Sequence, residues 1–130
     1  MVDEHSVINI TEKVVNDADI GLIEQGESDS QLLTFQINRY YDGEDLSTKL
    51  ISFIYLRPNE EETRIENNTT SEVEEKTIKF TWLLSPTVCA KAGKVQVIIR
   101  FADKTDPKNY TLKTNKFTLN VLPSLSYSAT

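Results

Sequence analysis

Four stretches of the chain alternate apolar and polar residues with a period of two. In "LLTFQIN" (32–38), Leu33, Phe35 and Ile37 fall on one side and Thr34, Gln36 and Asn38 on the other. "IKFTWLL" groups Ile78, Phe80, Trp82 and Leu84 in the same way, "KVQVIIRF" groups Val95, Val97, Ile99 and Phe101, and "NKFTLNVL" groups Phe117, Leu119 and Val121. Successive side chains of a strand point to opposite faces, so each stretch predicts a half-buried strand. "KLISFIYLR" (49–57) is apolar on both parities, which predicts a strand covered on two faces or lying beneath a partner. "YTLKT" reads as a shorter strand. "VINITEKVV" reads as a weaker one, with Ile8, Ile10 and Val14 on a common parity.

No segment keeps a helical spacing for long. The one helical turn expected is at 85–92, where Ser85 can cap, Pro86 can take the first position and Gly93 follows the end. Turn-forming runs such as "NDADIG", "QGESDS", "YDGED", "LRPNEEE" and "DKTDPKN" separate the strands. Short strands so spaced predict an all-β fold, an antiparallel, Ig-like β-sandwich of about seven to eight strands. Trp82 is expected at the centre of its core. The polar stretch 61–77, with only Ile65 and Val73 to anchor it, is expected to be a solvated loop or an edge strand. The organisation expected is an N-terminal arm with the first weak strand (1–13), a sandwich domain (14–122) and a C-terminal tail (123–130). The two ends, outside the periodic strands, are expected to touch a partner.

Length and composition sharpen this picture. At 130 residues the chain suits one domain that can bury a core without metal or disulfide support. Its longest apolar runs are shorter than the roughly 20 residues of a membrane span, and the N-terminus has no basic and apolar leader. A soluble protein folded in a reducing compartment, with no membrane partner, is the expectation. The net charge of −6 argues against nucleic acid. That charge is uneven: residues 1–75 hold 18 acids and 5 bases, net −13, and residues 76–130 hold 2 acids and 9 bases, net +7. The halves either neutralise each other within one fold or meet head to tail between copies.

The residues that could carry chemistry are few. His5, the sole histidine, sits in a polar terminal segment, where a catalytic imidazole has nothing to hold it. Cys89, the sole cysteine, excludes an internal disulfide and reads as a structural thiol. One His and one Cys far apart in the chain do not make a zinc site, and no phosphate-binding glycine motif occurs. The expectation is a protein that is not an enzyme, with no cofactor and no metal. "DGED" at 42–45 fails the calcium-loop pattern, while Asp-Gly between apolar runs is a strong hairpin signal. "N-x-T" at Asn9, Asn67, Asn68 and Asn109 reads as chance in an Asn- and Thr-rich chain.

The order of the punctuated segments points further. A "QGE" turn precedes the first strong strand, followed by a "DGEDLS" hairpin, an "FTW" strand, an "AG" turn before "VQVIIRF", and a closing "TNKFTLNV" strand. This order, over about residues 20 to 122, resembles the N-terminal β-sandwich domain of the upper baseplate proteins of tailed phages infecting Gram-positive bacteria, and related sandwiches of phage head fibres and capsid decoration. The resemblance implies a virion structural protein that folds in the host bacterial cytoplasm and docks onto a tail, baseplate or capsid partner, as a homo-oligomer. It supplies no catalytic residues. In the resembling proteins further domains follow, whereas this chain stops at "PSLSYSAT", which fits a free-standing adaptor, a decoration protein or an excised domain. The alternative is a carbohydrate-binding module, since Tyr40, Tyr41, Tyr55 and Tyr110 could stack on sugars. With Tyr127, these are the candidate partner or glycan contacts.

Overall fold

The computed structural model describes residues 7–24, 32–106, 108 and 110–123. His5, Tyr127, the "QGE" turn and both terminal segments lie outside the described residues. Among the described residues thirteen strands, several of two residues only, build two facing sheets and one small hairpin. The first sheet runs in the order β2 (Val14–Val15), β1 (Val7–Thr11), β4 (Leu32–Asn38), β10 (Thr77–Leu83), β9 (Thr69–Val73). The second runs β3 (Ile23–Glu24), β13 (Phe117–Leu122), β11 (Gly93–Asp103), β7 (Lys49–Leu56), β8 (Arg64–Glu66), with β12 (Thr111–Lys113) also beside β11. β5 (Tyr40–Tyr41) and β6 (Glu44–Asp45) form the hairpin. The protein is an all-β sandwich.

The period of two holds in every strong strand. Phe35, Phe80 and Trp82 of the first sheet and Phe53, Tyr55, Phe101 and Phe117 of the second are all buried between them. Trp82 is fully buried, and its ring stacks on Phe53 of the facing sheet at 4.1 Å between centroids, 6° from parallel. Phe35 stacks on Phe80 at 5.3 Å, and Phe101 meets Phe80 edge-on at 5.7 Å. Offset and edge-on rings add to the stabilisation from burying their area. The core is therefore an aromatic seam contributed by both sheets.

Several expectations change in detail. Most pairings are antiparallel, but β1 lies parallel to β4 and β3 parallel to β13, because the chain crosses between the sheets before it returns beside β1. Ile8 and Ile10 are buried as expected; Val14 is exposed and Val15 is buried in its place. A tight turn with Glu12 at φ 62 causes this, since it pairs Thr11 with Val14 and Ile10 with Val15 and so resets the parity. The first weak strand, β1, is an interior member of the first sheet.

Residues 85–92 make no helix. They form two successive turns closed by Val88 N–H to Ser85 O (3.1 Å) and Ala90 N–H to Thr87 O (3.4 Å), and Ser85 Oγ also accepts from Val88 N–H. The acidic stretch 61–77 supplies two edge strands, β8 and β9. Ile65 and Val73 do not anchor them, for both are about half exposed. Their connection, Asn67–Asn68, is fastened instead to both sheets: Ser52 Oγ donates to Asn67 Oδ1 (2.6 Å), and Asn68 Nδ2 donates to Leu83 O (2.7 Å).

Candidate functional site

Two polar clusters stand out on this frame. The first surrounds the hairpin at 40–45. Asp42 (φ 51) and Gly43 (φ 81) occupy its two central positions, the left-handed pair that a type I′ turn requires. The "DGED" stretch is thus a turn, but not one that pairs the flanking long strands. β4 belongs to the first sheet and β7 to the second, so the hairpin is a bridge between sheets with its own short ladder.

Arg39 clamps its base, donating Nε–H to Asp45 Oδ1 (3.0 Å) and Nη2–H to Asp45 Oδ2 (3.1 Å). Asp45 also accepts from Ser47 N–H and Ser47 Oγ–H, which caps the single turn Leu46–Thr48. The Arg39 guanidinium, followed by the Ser47 hydroxyl, holds the Asp45 carboxyl well below the usual carboxylate range. Beside the hairpin, Lys49 Nζ pairs with Glu44 (3.0 Å) and lies 4.7 Å from the centre of the Tyr110 ring. Burial, then the Glu44 carboxylate, raises the Tyr110 phenol above its ordinary value.

The second cluster is centred on Glu66. Its side chain points inward from β8, where Trp82 Nε1–H donates to Oε1 (3.2 Å), and Tyr55 OH (2.8 Å) and the Ser85 hydroxyl donate to Oε2. The carboxylate thereby joins both sheets and the β10–β11 crossover. Burial, then Glu66, pushes the Tyr55 phenol well above its ordinary range. Close by, Arg57 pairs with Glu60 and donates to Thr87 O (3.0 Å), while Arg64 and Lys91 also reach Glu60. Hydrogen bonds from Arg57 and then Arg64 hold the Glu60 carboxyl at about 2.

The candidate tyrosines are scattered by this arrangement. Tyr40 is exposed, with the Arg39 guanidinium over its ring at 5.3 Å. Tyr41 is half-buried, packs against the core and lines a shallow pocket of about 80 Å³ with Ile10, Glu12, Ile37 and Asn38. Tyr110 is likewise half-buried against the core. Tyr55 is a correction: it is 1 % exposed, because its parity in β7 is that of Phe53, and it cannot stack on a sugar or meet a partner. Both parities of β7 are apolar, so the sequence did not mark its inward side. Glu66 escaped sequence reasoning because its partners lie in other strands and in the crossover; Arg57 and Glu60 pair at a spacing of three, but their further contacts, Thr87 O and Lys91, lie in the crossover.

Cys89 is buried in the core and is in no disulfide. Among the described residues no group of three or more His, Cys, Asp or Glu side chains could hold a metal ion, and no helix is long and apolar enough to cross a membrane. A shallow, mainly apolar depression of about 400 Å³ lies over Leu32, Asn68, Thr69, Thr70, Thr81 and Leu83. The donors around Glu66 are all engaged in holding strands together, so this cluster fixes the sandwich. The hairpin exposes Tyr40, while the Lys49 ammonium paired with Glu44 is largely covered. No protein-family model matches the chain, and no curated protein matches it significantly.

Proposed function

We propose that this chain is a structural protein of a phage virion, a non-enzymatic β-sandwich that folds in the host bacterial cytoplasm and docks onto a baseplate, tail or capsid partner. The observation that carries this reading is the order of its punctuating motifs; each of the four that fall on described residues coincides with a distinct element of a sandwich. "DG" forms the turn of the β5–β6 hairpin. "FTW" lies in β10 with Trp82 in the aromatic seam, "AG" opens the central strand β11, and "KFTLNV" is the closing strand β13. The hairpin bridges the two sheets and projects Tyr40 and Glu44 at one end of the molecule, which suits a contact with another virion protein.

Mass spectrometry of purified virions, with the copy number of this chain, tests the proposal. Incorporation in the copy number of a capsid lattice supports decoration, and a number in the range of a tail ring supports the baseplate. Absence from virions overturns the reading. The carbohydrate-binding alternative rests on Tyr40 and Tyr110, one face of each ring being approached by a cation. Binding on a glycan array that is lost in Tyr40→Ala would favour that alternative.

A further inference from the structure

Of the strands at the ends of the two sheets, β2 and β3 have two residues and β8 has three, whereas β9 has five. Its sequence, "TTSEV", suits a ladder: three residues are β-branched, none is proline or glycine, and the single charge, Glu72, stands directly opposite Lys79 of β10. Proteins ordinarily blunt an open edge with a lysine, a proline or a bulge. β9 has none of these, and its register with β10 runs unbroken from Thr69 to Val73.

The hydrogen bonds show which backbone groups of β9 are spare. Antiparallel partners alternate between pairs that exchange N–H···O bonds and pairs that do not. Glu74 N–H donates to Thr77 O (2.8 Å), and Val73 lies opposite Ile78, so Glu74–Thr77, Glu72–Lys79 and Thr70–Thr81 are the bonded pairs. The other side of β10 gives the same answer. Arg39 N–H donates to Lys76 O (2.9 Å), which turns the backbone groups of Ile78, Phe80 and Trp82 toward β4 and leaves those of Lys79 and Thr81 for β9. The N–H and C=O groups of Thr69, Ser71 and Val73 therefore point away from β10, and among the described residues no strand pairs with them.

We infer that β9 is a docking edge for a second copy of this chain, the two β9 strands pairing antiparallel about a twofold axis at Ser71 so that the first sheets of both copies join into one. Self-pairing fits this edge closely. Ser71 falls opposite Ser71 of the second copy and Thr69 opposite Val73, each pair exchanging both backbone bonds, while Thr70 falls opposite Glu72. No acid meets an acid. A slip of two residues one way would set Glu72 against Glu72, which like charges oppose. The same slip the other way would carry Val73 past the end of the partner strand. In the full overlap Val73, half exposed in the single chain, gains a β-branched neighbour in Thr69 of the second copy. The contact is isologous and closes at two copies. It does not rest on the virion reading.

Sedimentation velocity on the purified full chain over a range of concentration, with amide hydrogen exchange at the two ends of that range, is the test. Wild type is expected to become a dimer as concentration rises. The amides of Thr69, Ser71 and Val73 should slow as it does so, whereas those of Thr70 and Glu72, already bonded to β10, should be protected throughout. Ser71→Pro removes the central donor without touching a bond to β10, and should stay monomeric. Ser71→Lys keeps the donor but sets lysine against lysine at the axis, and Ser71→Glu sets glutamate against glutamate; each should weaken association at least about tenfold. An equimolar mixture of these two should associate again, because opposite charges then meet. This pair decides the matter even if Ser71→Pro does not fold. A wild type that stays monomeric, charged variants that associate like wild type, a mixture no tighter than either variant alone, or a dimer in which the three edge amides still exchange fast would each overturn the inference.

Discussion

Asp45 and Glu66 are both carboxylates that hold several donors, yet they do different things to the fold. Asp45 takes its bonds from Arg39 and Ser47, six and two residues away, and shapes one hairpin at the rim. Glu66 takes its bonds from Tyr55, Trp82 and Ser85, which lie 11, 16 and 19 residues away in the other strands and the crossover. Short-range bonds fix a local backbone path and can be lost while the rest stays folded. Long-range bonds tie elements whose separation is the structure itself, so losing them is felt throughout. The two sites predict effects of different size.

Truncation beside Glu66 should have the largest effect. Trp82→Ala removes the ring stacked on Phe53 and the donor to Glu66 together, and should cost about 3–5 kcal/mol in urea unfolding, as large-to-small core changes do. An unchanged midpoint would mean that the seam does not carry the fold. Glu66→Leu should cost about 2–3 kcal/mol, because it leaves the Tyr55, Trp82 and Ser85 donors without their acceptor. Tyr55→Phe in that background should then cost almost nothing, since the hydroxyl has already lost its partner; additive costs would separate the two residues.

A smaller loss is expected where β11 begins. Gly93 has φ +127, and a Cβ there would sit 2.9 Å from Pro58 Cγ. Gly93→Ala therefore combines backbone strain with a clash, and should lower stability by about 1–3 kcal/mol. A melting temperature equal to wild type would show that the β7–β8 turn gives way without cost.

Acid separates the ionic part of the Glu66 region from its packing. Glu60 is held at about 2, below the ordinary 4.5, by Arg57 and Arg64. A depressed carboxyl contributes stability that is complete above the unfolded value, so it is fully present above about pH 4.5 and is lost as the pH falls toward 2. Glu60→Gln should flatten the fall in melting temperature over that window. A wild-type slope in the variant would assign the acid sensitivity to other carboxylates.

The same contrast explains what was legible in the chain. A period of two depends only on neighbours in sequence, so Phe35, Phe80, Trp82, Ile99 and Leu119 could be placed in the core, and Asp42-Gly43 could be read as a turn. Which strands share a sheet depends on contacts between distant residues. The runs on either side of the hairpin looked like partners and belong to opposite sheets. Val14 was misplaced by one residue because the turn at Glu12 inserts a break that the apolar pattern does not reveal. Glu66 looked like one more acid in a solvated stretch, for nothing in "RIENN" names Trp82 as its partner. Of the candidate tyrosines described, Tyr40 alone is exposed, and Tyr55 was hidden by a strand apolar on both sides.

The smallest effect is expected at the rim, and it is the sharpest test of the comparison. Arg39→Ala removes both bonds to Asp45, the contact over the Tyr40 ring and the bond from Nη1 to Glu74 O (3.2 Å). All are near the surface, where ion pairs contribute little to global stability, so the melting temperature should move less than in Trp82→Ala, Glu66→Leu or Gly93→Ala. The Leu46 N–H to Arg39 O bond (2.7 Å) closes the same hairpin through the backbone and is untouched by the substitution. Amide hydrogen exchange should nevertheless quicken for residues 44–47, whose path then rests on the Asp45–Ser47 cap and the backbone bond without the Arg39 clamp, while β10 and β11 exchange as in wild type. Exchange that quickens equally in the central strands would show the Arg39–Asp45 pair to act globally, and would erase the distinction between the two carboxylates.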